Sequence, residues 1–258
     1  MTAIERRTYE LYARLPVFGR RVAAADTIIR DALAAVPGTW AVSISGGKDS
    51  TVLLDLCVRA GWRGPVFNFF DREIPTANHA AVRLLAERYE LELHQLAVPG
   101  AWDVYERAGR FFVHPETAEE RRLVNWMLAE FKRLANAYAA AQGWVGTFWG
   151  MRASESRPRA FTVARKGTRY QTQSRSTWTA LPLARWTSRD VWSYLVWRDL
   201  PWLPRYDLAD DREHERSDWA WLCAEGVWRY GQGQRMRRTD PARWQALVAR
   251  WPELAQWG

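Results

Sequence analysis

The chain has 258 residues, a formal net charge of +8 and a hydrophobic content of 48%. That size and apolar fraction suit one large domain, or one domain with a smaller appended part, and they exclude an intrinsically disordered chain. No apolar run is long enough to span a bilayer and no export leader is visible. The expectation is therefore a cytoplasmic protein without membrane contact, its two cysteines (Cys57 and Cys223) being free thiols rather than a disulfide.

All but three of the 37 basic residues are Arg, the lysines being Lys48, Lys132 and Lys166. The guanidinium fork matches phosphate and sulfate oxygens, so the bias suits an anionic ligand. Of the 17 Trp residues, 11 follow residue 150. Trp combined with Arg can stack on single-stranded nucleic acid. Helical spacing instead assigns Trp186, Trp192 and Trp197 to a core.

Residues 1–38 read as an N-terminal helical segment, with an amphipathic helix over 20–36 ended by Pro37-Gly38. A short apolar run, Trp40 to Ile44, reads as the first strand, and Thr51 to Arg59 as a helix. Between them lies Ser45-Gly46-Gly47-Lys48-Asp49-Ser50. Paired glycines allow a tight turn and close backbone approach, and the helix that follows directs free N–H groups and positive potential into it. Such a turn binds phosphate. It is not a Walker A loop, because Asp49 rather than Ser or Thr follows Lys48 and Val42 stands where that motif has its first Gly.

Val66 to Phe70 reads as a buried parallel strand. Asp71-Arg72-Glu73 follows it, and Asp71 could contact a ribose hydroxyl, an adenine amino group or a metal, or could be a helix cap. A helix is expected over Thr76 to Tyr89, a strand over Leu91 to Val98, a long helix over Ala118 to Gln142 and a strand over Trp144 to Met151. Strands alternating with helices predict an α/β fold with a parallel sheet and helices on both faces. Ligands bind beyond the carboxyl ends of such strands, where Ser45, Asp71 and Gly150 all fall.

Gly150-Met151-Arg152-Ala153-Ser154-Glu155-Ser156-Arg157-Pro158-Arg159 joins a close-approach glycine to two arginines that can clamp an anion and to a carboxylate that can orient an Arg or hold a metal. Residues 152–178 are polar and Arg-rich and read as a mobile functional loop. Pro182-Leu183-Ala184-Arg185-Trp186-Thr187 leads into a helix over Thr187 to Trp197, with Ser188 and Asp190 near its start. Residues 208–258 form a C-terminal extension that is helical or irregular, with a helix over Asp240 to Arg250. The histidines show no metal spacing with Cys or carboxylates, and His114 reads as a surface-loop residue.

The turn at residues 45–50 resembles the pyrophosphate loop (PP-loop) of the adenine-nucleotide alpha-hydrolase group. Taken with the strings around Arg152 and Trp186, in this order, the chain resembles the phosphoadenylyl-sulfate (PAPS) reductase family over roughly residues 39–207. That family also takes in the small subunit of sulfate adenylyltransferase and the sulfurtransferase-like ATPases of DNA phosphorothioation. The resemblance implies a Rossmann-like, HUP-type sheet and a PP-loop nucleotide-binding domain for ATP or a PAPS- or adenylyl-sulfate-like nucleotide. It assigns Ser45, Gly46, Gly47, Lys48, Asp49 and Ser50 to phosphate. Asp71 and Gly150 then lie near the nucleotide, and Arg152, Glu155 and Arg159 face its anionic end. Lys48, Asp49, Arg152 and Arg159 are the expected catalytic residues, and Asp49 and Glu155 the expected magnesium ligands. Trp186, Asp190 and Trp192 are expected to be structural.

Sulfonucleotide reductases need a nucleophilic C-terminal cysteine, and some hold an iron–sulfur cluster on paired cysteines. Position 220, where a Cys-x-x-Cys with Cys223 would begin, is Ala, so no cluster is expected. The expected function is an ATP pyrophosphatase that adenylylates an unidentified acceptor, with a sulfur-donor or modification-complex protein as a possible partner. Two alternatives stand beside it: a thioredoxin-dependent reductase using Cys223, and a nucleic-acid sulfur-modification component. Cys57, among leucines, reads as packing.

Overall fold

The computed structural model describes residues 1–70, 76–111, 113, 117–171, 177–208, 233–239 and 241–258. Two helices open the chain, α1 (Ala3–Tyr12) and α2 (Pro16–Ala35). Thr2 and Glu5 close a capping box on α1, and Pro16 sits in the first turn of α2, where a missing N–H costs nothing. The alternating unit follows: β1 (Thr39–Ser43), α3 (Lys48–Arg59), β2 (Val66–Phe70), α4 (Thr76–Arg88) and β3 (Leu93–Ala97). Then come α5 (Ala101–Ala108), α6 (Ala118–Ala141) and β4 (Trp144–Phe148).

The sheet has six strands in the order β3-β2-β1-β4-β6-β5, with β5 (Arg169–Gln171) and β6 (Trp178–Ala180) at one side. All pairings are parallel except that of the edge strand β5 with β6. Chain order reverses between β1 and β4, which makes their carboxyl ends the topological switch point.

Alternation along β1 sorts its side chains between two layers. Trp40, Val42 and Ile44 face a core built with α2, α3, α4 and α8 (Ser188–Arg198). Ala41 faces the other way, with Phe67, Trp144 and Ala139 of α6. Helices thus cover both faces, as expected. A separate apolar cluster joins α5 and the first half of α6 to the C-terminal α9 (Gly233–Thr239) and α10 (Pro241–Arg250), with Leu254 of the final 3₁₀ turn fully buried.

Three expectations change. The loop expected over 152–178 instead holds a 3₁₀ turn at Ala153–Glu155, α7 (Arg157–Lys166) and strand β5, residues 172–176 lying outside the described residues. Its helix was hidden because α7 buries none of its side chains and so has no apolar stripe to read. Helix α3 begins at Lys48 rather than Thr51, which places half of the phosphate turn in its first turn. Trp186 and Trp192 are core, but Trp197 is 48% exposed. Among the described residues no helix is long and apolar enough to cross a membrane.

Candidate active site

The turn after β1 is fixed by its own side chains. Gly46 has φ +73°, which L side chains rarely adopt, and a Cβ there would stand 2.8 Å from the Asn78 carbonyl. The Ser50 hydroxyl accepts the Ser45 N–H at 3.1 Å and donates to the Gly47 carbonyl at 2.9 Å. Asn78 on α4 donates to the Ser45 carbonyl at 3.0 Å. Gly47 is the N-cap of α3 and brings no side-chain cap, so the first-turn amides are left for other partners.

Asp49 connects this turn to the loop after β4. Its Oδ2 accepts from Lys48 Nζ at 2.8 Å, and its Oδ1 from Arg152 Nε at 2.6 Å. Arg152 is fully buried and Lys48 only 2% exposed. Two buried cations therefore share one carboxylate, an arrangement that holds because each is hydrogen-bonded as well as paired. Gly150 makes it possible, since a Cβ there would lie 3.2 Å from the Asp49 backbone. Arg152 is fixed further by Ser154, whose hydroxyl lies 3.1 Å from Nη1 and itself donates to the Trp186 carbonyl. Glu155 accepts the Arg152 N–H at 2.8 Å and pairs with Arg159. The α8 start that backs this loop is capped by Thr187 and Asp190 in a capping box, with Ser188 one residue inside, and Tyr12 donates to Asp190 at 2.9 Å.

A cleft of about 1150 Å³ opens over the switch point. Ser45, Asp49, Ser50, Gly150, Glu155 and Arg159 line its floor. Lys132 from α6 and Arg165 and Lys166 from α7 line it further out, and Phe131 and Trp149 form an aromatic side. Phe69 packs between those two rings, 5.4 Å from Phe131 and 6.4 Å from Trp149. The volume exceeds the usual range of about 300–1,000 Å³ for single-ligand pockets. Of the charged lining residues, Asp49 and Glu155 are already paired with cations, so the cleft presents net positive charge.

The structure thus brings together Ser45, Lys48, Asp49, Ser50, Gly150, Arg152, Glu155 and Arg159. Asp71, His114 and Cys223 lie outside the described residues. Cys57 is fully buried, and burial pushes its thiol well above the ordinary value, which suits packing rather than reactivity. Sequence reasoning missed Asn78, Phe131, Lys132 and Lys166, and also Tyr206, whose hydroxyl accepts the Lys48 N–H at 3.4 Å. The scarcity of lysine was a usable signal, because Lys48 heads the phosphate turn and the other two lysines line the same cleft.

The profile of the phosphoadenosine phosphosulfate reductase domain matches residues 39–211. The chain belongs to the phosphoadenosine phosphosulfate reductase family. Within it, the protein is 31% identical over 192 residues to a phosphoadenosine 5'-phosphosulfate reductase of Xanthomonas euvesicatoria, covering 71% of this chain and 72% of that one. Among solved structures, PAPS reductase from Candida auris in a phosphate complex shares the fold (TM-score 0.51, 16% identity, 81% of this chain and 92% of that one). So does yeast FAD synthetase in complex with FAD (TM-score 0.51, 16% identity, 78% and 67%). These likenesses show a Rossmann-like α/β fold, as the alternation of strands and helices predicted.

Proposed function

We propose that this member of the PAPS reductase family is an adenine-nucleotide enzyme that seats the β- and γ-phosphates of ATP at residues 45–50 and transfers the adenylyl group to an acceptor. The observation that carries the reading is the Ser45–Ser50 turn, which heads α3 with a glycine at the N-cap and opens into a cationic cleft. An acceptor oxygen forms a bond to the α-phosphorus. The bond to the bridging oxygen breaks, and pyrophosphate leaves with the electron pair. The loop amides and the Lys48 charge stabilise the leaving group. Arg152 holds Asp49 and the turn in register, and Arg159 with Glu155 faces the acceptor side. Gly150 supplies the close approach, and Asp71 extends the nucleotide contact beyond β2.

Asp49 and Glu155 fit magnesium poorly, because both Asp49 oxygens accept from cations and Glu155 is paired with Arg159. No step is assigned to a metal on these residues. The test is release of pyrophosphate from ATP by the full-length protein. Lys48→Ala should cut the rate at least about 100-fold, the scale seen when one transition-state donor is removed. Unchanged release in that variant removes the reading.

A second reading has a specific basis in the 31% identity to a reductase. In it, the Cys223 thiolate bonds to the sulfur of a sulfonucleotide, the sulfur–oxygen bond breaks and the adenosine phosphate leaves with the electron pair; the thioredoxin dithiol then reduces the cysteine S-sulfonate, becoming a disulfide and freeing sulfite. Sulfite release abolished in Cys223→Ala would favour it over adenylyl transfer.

A further inference from the structure

We propose that Tyr206 is a positioning residue of the phosphate turn, so that the segment after α8 takes part in holding the phosphate tail; this rests on the reading of residues 45–50 as a phosphate site. The N-cap of helix α3 is Gly47, which has no side chain to supply a cap. The cap comes from 158 residues away, where the Tyr206 hydroxyl accepts the Lys48 N–H at 3.4 Å. A Cβ on Gly47 would lie 3.3 Å from the same oxygen, so the turn passes directly against it. The Lys48 ammonium stands 5.9 Å from the centroid of the Tyr206 ring. One side chain therefore touches both the backbone and the charge expected to meet phosphate.

The turn does not set the position of that hydroxyl. Tyr206 is 7% exposed, and its ring meets Trp192 edge-on at 5.6 Å. Trp192 is fully buried and stacks on Tyr9 of α1 at 6.3 Å. The rigid aromatic core of α1 and α8 thus fixes where the first amide of α3 points. A phenol suits the place chemically: its oxygen accepts from the amide, and its proton can turn toward a phosphate oxygen. A phenylalanine would fill the same space and do neither.

The test is calorimetric titration of the full chain with ATP and with adenosine. Tyr206→Phe keeps the ring and loses one hydrogen bond, so its Tm should fall by no more than about 2–4 °C. ATP binding should weaken about five-fold, the effect of one hydrogen bond, while adenosine binding is unchanged. ATP binding equal to wild type overturns the assignment and leaves the phosphate site standing. Equal weakening for ATP and adenosine also overturns it, because a general loss of structure would act on both. If the wild type binds adenosine but gains nothing from the triphosphate, the phosphate site itself fails, and this proposal with it. Should Tyr206→Phe not fold, 4-fluorophenylalanine at position 206 fills the space of the hydroxyl but donates nothing and accepts only very weakly. The same selective loss for ATP is then expected, and its absence counts against the proposal.

Discussion

Asp49 holds two cations at once, and its loss should be felt in stability as well as in activity. Arg152 is fully buried, and the carboxylate beside it is its paired anion. An amide in that place accepts a hydrogen bond but carries no charge. Asp49→Asn should cost about 3 kcal/mol, because it removes the anion from a buried ion pair, and should lower Tm by roughly 6–12 °C in calorimetry. Asp26→Asn removes an exposed pair with Arg30 on the surface of α2 and should leave Tm unchanged. If the two variants melt alike, Asp49 does not hold the turn to the loop after β4. The string that contains Asp49 was legible in the sequence because six neighbouring residues carry its chemistry together. Tyr206 and Phe131 were not, since nothing in their own surroundings along the chain marks them. Their meaning comes from what the fold lays beside them.

At the scale of elements, Asp55 joins three helices. From α3 it accepts Tyr194 of α8 at 2.6 Å and Tyr89, just past α4, at 2.9 Å, and it pairs with Arg198. Burial, and then the Asp55 charge, raise both phenols above their ordinary value of 10.0. The folded state thus keeps protons that the unfolded chain gives up. Their contribution is fully present below pH 10 and is lost as pH rises beyond it. Tm should fall steeply above pH 10 in thermal melts. Tyr194→Phe should start about 1–2 kcal/mol less stable at pH 8 and show a shallower alkaline loss. An unchanged alkaline slope would mean that Tyr194 does not govern it. The core elements were readable because their apolar residues repeat at the period of their geometry, as in Trp40 and Val42 of β1 and Ile44 just after it. Helix α7 was not, because a helix lying on the surface with every residue at least partly exposed leaves no such record. The start of α3 was misplaced for a related reason: glycine and charged residues at a helix head look like a loop until the backbone is seen.

At the scale of the whole molecule, α6 holds the protein together. Met127 belongs to the cluster with α5, α9 and α10, while Ala139 packs against the sheet layer. Phe131 and Lys132, between them, line the cleft. The C-terminal part and the candidate site therefore share one rigid rod. Parallel pairing was expected from the alternation of strands and helices, whereas the antiparallel edge strand β5 was not, because three polar residues carry too little pattern.

The rarity of lysine has a practical side. Lys132 and Lys166 are exposed and both border the cleft, while Lys48 is 2% exposed. An ordinary amine-acylating reagent should therefore behave on this protein as an affinity label without having been made one. Peptide mapping by mass spectrometry should find both rim lysines modified in the free protein and shielded by saturating ATP. Equal modification with and without ATP would show that the nucleotide does not reach that rim.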